Sequence, residues 1–261
     1  MAGLFDFTHS IVRVPGRSVV GGLRDGDGAD PDYDVLLGEH KAYVSALRAA
    51  GVAVDVLPAE EAYPDSIFVE DTALVFGAGA ILLKPGAESR AGEAALMTPV
   101  LRRHFVAMLS LETGHVDGGD VLVTPNGVII GLSHRTDRVG AEALGKLLAA
   151  LGKRAIIAET PSGILHFKTG CGMIDEETVF VAPGLADCPA FFGLRVVVTP
   201  EGEAGAANVL RVRDRLFIGD QWPRSRELIE AQGVRTVSLP VSEIAKIDAG
   251  LSCMSLRWCA D

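Results

Sequence analysis

Short apolar runs separated by turn residues recur along the chain. Four stretches each contain two apolar runs about a tight turn: 71–83, 120–131, 172–181 and 208–219. In the second stretch the turn contains Asn126-Gly127, a dipeptide that strongly favours a β-hairpin. The pattern therefore predicts four hairpins, spaced along most of the chain.

Segments with helical periodicity follow several of these hairpins. Between 136 and 151, apolar residues recur on one helical face, and Gly152 can end the helix. Two more helices are predicted, one near Tyr33 to Ala50 and one from Pro223 to Gln232, which Gly233 ends. A short apolar strand is predicted after each helix, at 52–57, 155–158 and 236–239, and another before the first helix, at 11–14.

The repeated unit is thus a hairpin, a helix and a strand, used about five times in one domain spanning 1–261. Units of this kind can stack around an axis, as the blades of a propeller do. An ordinary α/β sandwich with accidental internal similarity is the alternative. The pattern favours the propeller, in which loops from comparable points of different units converge on a central channel.

Composition excludes several classes of function. The 261 residues are 48% hydrophobic with a net charge of −10, and no Lys/Arg run indicates nucleic-acid binding. The apolar runs are too short for a membrane span, and the first residues lack the pattern of a secretion signal. Four cysteines without a CxxC pair indicate neither a disulfide scaffold nor a structural zinc site. A cytoplasmic protein is expected.

Cys253 is a candidate nucleophile. It follows Gly250, Leu251 and Ser252, a short turn-like segment that can expose a side chain to a cavity. A thiolate is a strong nucleophile when neighbouring groups control its pKa. The alternative is a buried, inert thiol, which is the common state of a free cysteine.

His166 and Asp117 complete a candidate catalytic set. A histidine just before the third hairpin can act as an acid toward a leaving amine and then as a base toward water. Asp117 opens the second hairpin and precedes Gly118-Gly119, which permit close approach, so it could orient His166. The alternatives are a core or surface histidine and an ordinary Asp-Gly turn.

Further charged residues lie at comparable points of the repeats. Asp65, Glu70 and Asp71 cluster at the start of the first hairpin, where inward-facing acids would need a cationic partner. Arg90 and Arg135 follow the first and second hairpins and could clamp a carboxylate in bidentate fashion. Solvated arginines at helix starts are the alternative.

These segments resemble the dimethylarginine dimethylaminohydrolases, which belong to a guanidine-modifying group that includes the arginine deiminases. The resembling motifs span most of the chain in the family's order: 65–71 (DSIFVED), 117–120 (DGGD), 131–136 (GLSHRT), 165–168 (LHFK) and 246–256 (KIDAGLSCMSL). The last motif is the most specific. The resemblance implies a five-bladed, pseudo-symmetric α/β propeller.

The resemblance also implies a role for each candidate. Cys253 corresponds to the nucleophile, His166 to the general acid and base, and Asp117 to the carboxylate that orients the histidine and touches the guanidinium. The implied substrate-binding residues are Asp71 with Glu70 for the guanidinium, Asp65 and the Ile247 carbonyl for the α-amine, Arg90 and Arg135 for the α-carboxylate, and Leu23 on a flexible lid.

The implied activity is hydrolysis of Nω-methylated L-arginine to L-citrulline and methylamine or dimethylamine through a thiouronium intermediate on Cys253. The expected partner is a small cationic amino acid, with no cofactor, no required metal, no membrane and no nucleic acid, in a monomer or homodimer. Alternatives are arginine deiminases, which usually have an additional helical domain, another guanidine hydrolase, an amine transferase or a catalytically inactive binding protein.

Overall fold

The computed structural model describes residues 3–26 and 28–260. They form fifteen strands: β1 His9–Arg13, β2 Ala53–Leu57, β3 Ala73–Phe76, β4 Gly79–Leu82, β5 Met108–Ser110, β6 Val121–Thr124, β7 Gly127–Leu132, β8 Ala155–Glu159, β9 Cys171–Met173, β10 Thr178–Val181, β11 Arg195–Val198, β12 Leu210–Val212, β13 Arg215–Gly219, β14 Arg235–Leu239 and β15 Leu256–Trp258. The α-helices are α1 Tyr33–Ala49, α2 Glu93–Leu101, α3 Arg138–Ala150 and α4 Pro223–Glu230.

The strands form five three-stranded sheets with one common topology. In each sheet the central strand pairs antiparallel with one neighbour and parallel with the other. In the third sheet, for example, Val128 of β7 lies opposite Val123 of β6 and opposite Ala155 of β8. A parallel neighbour requires a crossover connection, and α3 supplies it here. In this sheet the predicted hairpin, helix and strand are therefore all present.

One sheet joins the two ends of the chain. Strand β15 pairs antiparallel with β1, with Arg257 opposite Ser10, and β1 pairs in parallel with β2. The first unit thus replaces a local hairpin with a long-range pairing. This pairing holds the segment that carries Cys253 against the N-terminal strand.

Helices α1 and α3 begin at side-chain caps, and each buries one apolar face. Asp137 caps α3 by accepting a hydrogen bond from the Gly140 backbone, and Leu144 and Leu148 are fully buried. Helix α2 lies outside the sequence prediction, because Pro99 within it disfavours a helix. Burial of Met97 on α2 favours the helix nonetheless.

The fourth unit lacks an α-helix. Two 3₁₀ turns, Pro183–Leu185 and Pro189–Phe191, connect β10 to β11, and each begins with proline. Other 3₁₀ turns precede the sheets, and several buried charged residues lie within them or next to them. Within the described ranges, no helix is long and apolar enough to cross a membrane.

Candidate active site

A cavity of about 30 Å³ collects most of the residues that the sequence singled out. Eight of the ten candidates line it: Leu23, Asp65, Asp71, Arg90, Arg135, His166, Ile247 and Cys253. Phe68, Leu165, Asp248 and Ala249 complete the lining. Asp117 and Glu70 lie outside this lining.

The repeated topology explains this convergence. Asp71, Asp117 and His166 each lie shortly before the first strand of a sheet, ahead of β3, β6 and β9 respectively. Cys253 lies shortly before β15, which is the antiparallel neighbour of the central strand in its sheet. Short 3₁₀ turns at three of these points bring buried polar side chains to the same end of their sheets. Residues far apart in sequence thereby meet in one cavity.

Asp117 fixes the imidazole of His166. Its Oδ2 lies 3.0 Å from Nε2 of His166, and its Oδ1 accepts a hydrogen bond of 2.7 Å from the Gly86 backbone. Asp117 is fully buried, and its own backbone N–H donates to Thr136 Oγ1 at 3.1 Å. The carboxylate therefore lies behind the histidine and orients it, as the sequence predicts.

His166 is positively charged at neutral pH in this setting. Burial lowers the pKa of His166, but the charge of Asp71, the hydrogen bond to Asp117 and the charge of Asp120 outweigh burial and raise it to about 9. An imidazolium at neutral pH is prepared to donate a proton to a leaving group.

The glycines of the Asp-Gly-Gly-Asp motif are required by close packing. A Cβ on Gly119 would lie 2.7 Å from Nδ1 of His166, and a Cβ on Gly118 would lie 2.0 Å from the Glu70 carbonyl oxygen. The backbone N–H of Gly119 also donates to Asp71 Oδ1 at 2.7 Å. These glycines therefore let the second hairpin approach both Asp71 and His166.

Arg90 is held by protein carboxylates. Its Nη1 donates to Asp71 Oδ2 at 2.5 Å, and its Nε and Nη2 donate to Glu93. Nη2 also donates to the Phe68 carbonyl at 3.0 Å. Of the five N–H groups of a guanidinium, these contacts use one on Nε, two on Nη2 and one on Nη1. A single donor on Nη1 remains for a ligand.

Glu93 is a site residue that the sequence analysis missed. It begins α2, is buried, and forms an ion pair with Arg90. Burial raises its pKa, against the attraction of Arg90. The sequence offers one signal, which is that Glu93 lies three residues after Arg90. This spacing brings two charges together only in a helical turn, and the sequence does not predict a helix there.

Arg135 differs from Arg90. It lines the cavity, is partly exposed, and its side chain forms no salt bridge with any carboxylate in residues 3–26 and 28–260. Its backbone N–H is fixed by Ser133 Oγ at 3.0 Å. Arg135 therefore presents a whole guanidinium to the cavity.

Cys253 carries a neutral thiol in this setting. Burial raises the pKa of Cys253 to about 12, and the negative charges of Glu70 and Asp71 contribute. Its backbone is fixed on both sides, because its N–H donates to the Gly250 carbonyl and its carbonyl accepts from the Glu70 N–H at 3.2 Å. Arrival of a cation beside Asp71 would lower the pKa of this thiol.

Asn208 supports the nucleophile segment and was also missed. It lies shortly before β12, directly after the 3₁₀ turn Ala204–Ala207 of its unit. Its Oδ1 accepts from the Ser252 N–H at 3.1 Å, and its Nδ2 donates to the Lys168 carbonyl at 3.1 Å. Asn208 therefore links the segment of Cys253 to that of His166.

Asp120 fixes the backbone next to His166, as Asn208 does for the segment of Cys253. One of its oxygens accepts from the Phe167 N–H at 2.7 Å, and the other accepts from Ser133 and Thr136 hydroxyls at 2.6 and 2.7 Å. Burial raises its pKa, although His166 acts in the opposite direction. The second acid of the motif therefore fixes the backbone next to His166.

The segment around Leu23 lies over the cavity and is fastened by two carboxylates. Asp65 Oδ1 accepts from the Leu23 N–H at 2.9 Å, and Asp248 Oδ2 accepts from the Asp25 N–H at 2.5 Å. Asp248 follows Ile247 in a left-handed conformation, with φ of 53°. These two hydrogen bonds hold the segment over the cavity.

Glu70 faces away from this cavity. Its Oε1 lies 2.7 Å from Lys168 Nζ and accepts from Arg257 Nη2 at 2.8 Å. The sequence motif placed Glu70 beside Asp71 in the substrate site, yet the 3₁₀ turn directs the two side chains to different cavities. Its contact with the Cys253 carbonyl is made by its backbone.

Asp71, Asp117 and His166 offer three potential metal-ligand atoms within 4.8 Å of one another. Each carboxylate already has protein donors: Arg90 and Gly119 for Asp71, and Gly86 for Asp117. A metal ion would therefore compete with existing hydrogen bonds and ion pairs.

Known proteins are similar to this chain over half of its length or more. The model of the arginine deiminase family matches residues 60–196. The dimethylarginine dimethylaminohydrolase of Pseudomonas aeruginosa is 36% identical over 97% of this chain and 100% of its own, and that of Streptomyces coelicolor is 34% identical over 87% of each chain.

A solved structure of the Pseudomonas aeruginosa enzyme, a cysteine-to-serine mutant complexed with citrulline, superimposes with a TM-score of 0.94 over 97% of this chain and 100% of that chain, at 36% identity. A second dimethylarginine dimethylaminohydrolase structure, a histidine-to-glycine variant in an adduct with S-methyl-L-thiocitrulline, gives a TM-score of 0.93 at 36% identity and covers 96% of this chain and 99% of that chain.

The charge of His166 gives a direct prediction. In Cys253→Ser, which removes the thiol titration, the His166 imidazole should titrate near pH 9 in an NMR experiment, and Asp117→Asn should lower that value. Because the folded pKa exceeds the ordinary 6.5, this charge stabilises the fold fully below about pH 6.5. The contribution is lost as the pH rises through about 9. A His166 pKa near 6.5 in the first variant would contradict the assignment.

Proposed function

This chain belongs to the dimethylarginine dimethylaminohydrolases, within the arginine deiminase family, and we propose that it hydrolyses Nω-methylated L-arginine to L-citrulline and methylamine or dimethylamine. The observation that carries the proposal is the charged His166, held by Asp117 in the same cavity as the Cys253 thiol. Asp71 lines the same cavity and provides the charge that a guanidinium requires.

The first half-reaction forms a bond to sulfur. A cationic substrate beside Asp71 lowers the pKa of Cys253, and the thiol proton passes to solvent. The sulfur attacks the guanidinium carbon, and a tetrahedral intermediate forms. His166 protonates the methylated nitrogen, the carbon–nitrogen bond breaks, and the amine leaves. A thiouronium remains on Cys253.

The second half-reaction consumes water. His166, now neutral, accepts a proton from water as the water oxygen attacks the thiouronium carbon. The carbon–sulfur bond then breaks, and the remaining hydroxyl proton passes to the departing Cys253 sulfur, which restores the thiol. The new oxygen becomes the ureido oxygen of citrulline. One histidine serves both steps, because the proton it gives in the first half-reaction is regained in the second.

Substrate entry requires movement of the lid. A cavity of about 30 Å³ has room for about one water molecule and is too small for an amino acid. The segment around Leu23 is joined to the site by single hydrogen bonds to Asp65 and Asp248. We place the α-amine of the substrate at Asp65 and the Ile247 carbonyl, where it replaces the Leu23 N–H as the donor to Asp65.

Arg90 and Arg135 contribute unequally to binding of the substrate α-carboxylate. Arg135, which has no salt bridge to the described carboxylates, binds the substrate α-carboxylate in bidentate fashion. Arg90 has a single unused donor and mainly holds Asp71 and Glu93 in place. It therefore adds at most one contact to the carboxylate and acts chiefly through Asp71.

We also propose that the five sheets are arranged as the blades of a propeller around the site. Successive units contact one another through the turns before their first strands, and α1 of the first unit contacts β14 of the last. In the proposed arrangement, the β1–β15 pairing between the two ends of the chain closes the ring. We place this enzyme in the cytoplasm as a monomer or homodimer, with its four cysteines as free thiols.

Product analysis tests the proposed function. Incubation with asymmetric dimethylarginine, monomethylarginine and arginine should yield citrulline with dimethylamine, methylamine or ammonia, and the methylated substrates should give the higher kcat/KM. Cys253→Ser should abolish turnover, since an alcohol is a far poorer nucleophile near neutral pH. Preference for arginine would instead assign an arginine deiminase, and citrulline formation by Cys253→Ser would refute the nucleophile.

The proposed roles of the two arginines predict different kinetic effects for Arg135→Ala and Arg90→Ala. Agmatine, which lacks that carboxylate, should react about a hundredfold more slowly than methylarginine, because Arg135 stays unpaired. Arg135→Ala should raise KM and narrow this gap, since the carboxylate lies far from the reacting carbon. Arg90→Ala should instead lower kcat, because it releases Asp71. Equal kcat/KM for agmatine and methylarginine in the unmodified enzyme would contradict the clamp.

A further inference from the structure

A second cavity of about 740 Å³ lies against the back of the catalytic site. The two cavities share no lining residue. Glu70 and Ser252 line the second cavity, whereas the residues that follow them in the chain, Asp71 and Cys253, line the catalytic one. Its volume is in the range of small-molecule sites, about 300–1,000 Å³. The two cavities are thus separated by little more than one layer of chain.

The inner end of this cavity carries an unbalanced positive charge. Glu70 Oε1 meets both Lys168 Nζ, at 2.7 Å, and Arg257 Nη2, at 2.8 Å. The Lys168 and Arg257 side chains are each 11% exposed, and no second carboxylate within residues 3–26 and 28–260 lies within 4.0 Å of either. One carboxylate thus faces two buried cations, an excess charge that costs free energy unless an anion balances it.

Hydrogen-bonding capacity is also left over at this end. The Lys168 ammonium has three N–H donors, and its contact with Glu70 uses one. The Nε of Arg257 is buried without a partner. Lys168 and Arg257 both line the cavity, so they can present donors to a ligand there.

The lining as a whole is basic in an acidic protein. Its charged residues are five basic and two acidic, whereas the chain has 24 basic and 34 acidic residues. The basic residues are Lys153, Arg154, Lys168, Arg211 and Arg257, and the acids are Glu70 and Glu176. Much of the remaining wall is apolar, with Phe5, Phe7, Phe76, Met173 and Trp258.

We propose that this cavity is a second ligand site, which binds a small organic carboxylate with an apolar ring or chain. The carboxylate pairs with Lys168 and Arg257 at the inner end, and the apolar part lies against Phe7 and Trp258. A polar group at the closed end with apolar walls around it is the usual construction of a small-molecule pocket.

Occupancy of this site affects the nucleophile through shared contacts. Arg257 Nη1 donates to the Ser252 carbonyl at 2.9 Å, and the Glu70 N–H donates to the Cys253 carbonyl. A bound anion draws Lys168 and Arg257 away from Glu70 and adds negative charge behind the thiol, which disfavours the thiolate. The ligand therefore lowers kcat without competing with the substrate.

Calorimetric titration with benzoate tests the site, with saturating citrulline present to occupy the substrate pocket and its arginines. Benzoate should bind, and Lys168→Met, which leaves the Glu70–Arg257 pair neutral, should weaken binding about tenfold or more. Glu70→Gln should tighten binding, because it raises the excess charge. The exposed Lys146→Met is the matched control and should bind as the unmodified chain does.

The two variants should change benzoate affinity in opposite directions. A folding defect would not produce this result, since a damaged protein does not bind benzoate more tightly. If Lys168→Met does not fold, tightening in Glu70→Gln still decides the question. Absence of benzoate binding, displacement of benzoate by citrulline, or equal affinity in the Glu70 and Lys168 variants would overturn the proposal. The titration needs no turnover, so a chain that binds benzoate but forms no citrulline would refute the proposed function alone.

Discussion

Burial of one ionised carboxylate, Asp71, is the interaction on which the site depends. Burial raises the pKa of Asp71, but Arg90 and His166 outweigh burial and lower it. Its oxygens accept from Arg90 and from the Gly119 backbone, so one side chain joins two successive repeat units. Removing a partner from a buried pair typically costs about 3–5 kcal/mol. Asp71 must therefore be fully partnered, and those partners assemble the cavity.

The same electrostatic interactions make the reactivity of Cys253 depend on the presence of a cationic substrate. The negative groups around the cavity keep His166 protonated, and burial with negative charge keeps Cys253 neutral. A neutral thiol is a weak nucleophile toward oxidants and bystander electrophiles. A guanidinium supplies the positive charge that the site lacks, so the correct substrate activates the group that attacks it.

Much of this structure could be predicted from local sequence, and the exceptions have physical causes. The hairpins at β3–β4 and β6–β7 follow from apolar runs about turn residues. The β1–β15 pairing joins the chain ends and leaves no local signal, and Pro99 obscures α2. Helix α3 follows from its periodicity and begins at Arg138, two residues inside the predicted segment that starts at Thr136.

The site shows the same division. Equivalent positions before successive sheets indicated that His166, Asp117 and Cys253 would meet, and eight of the ten candidates line one cavity. A run of acids cannot show which side each member faces, so Glu70 was grouped with Asp71 although they line different cavities. The pairing of Arg90 with Glu93 likewise requires knowledge of the fold, because a sequence does not reveal that a charge is already compensated.

The central claim is that Cys253 becomes covalently bonded to the substrate carbon and that His166 releases it. Peptide mass spectrometry of His166→Gly treated with S-methyl-L-thiocitrulline tests this directly, because methanethiolate leaves without protonation whereas hydrolysis needs the missing base. The account predicts a stable thiouronium on the peptide containing Cys253, with Cys171, Cys188 and Cys259 unmodified. An adduct on another cysteine, or turnover with no adduct on Cys253, would contradict it.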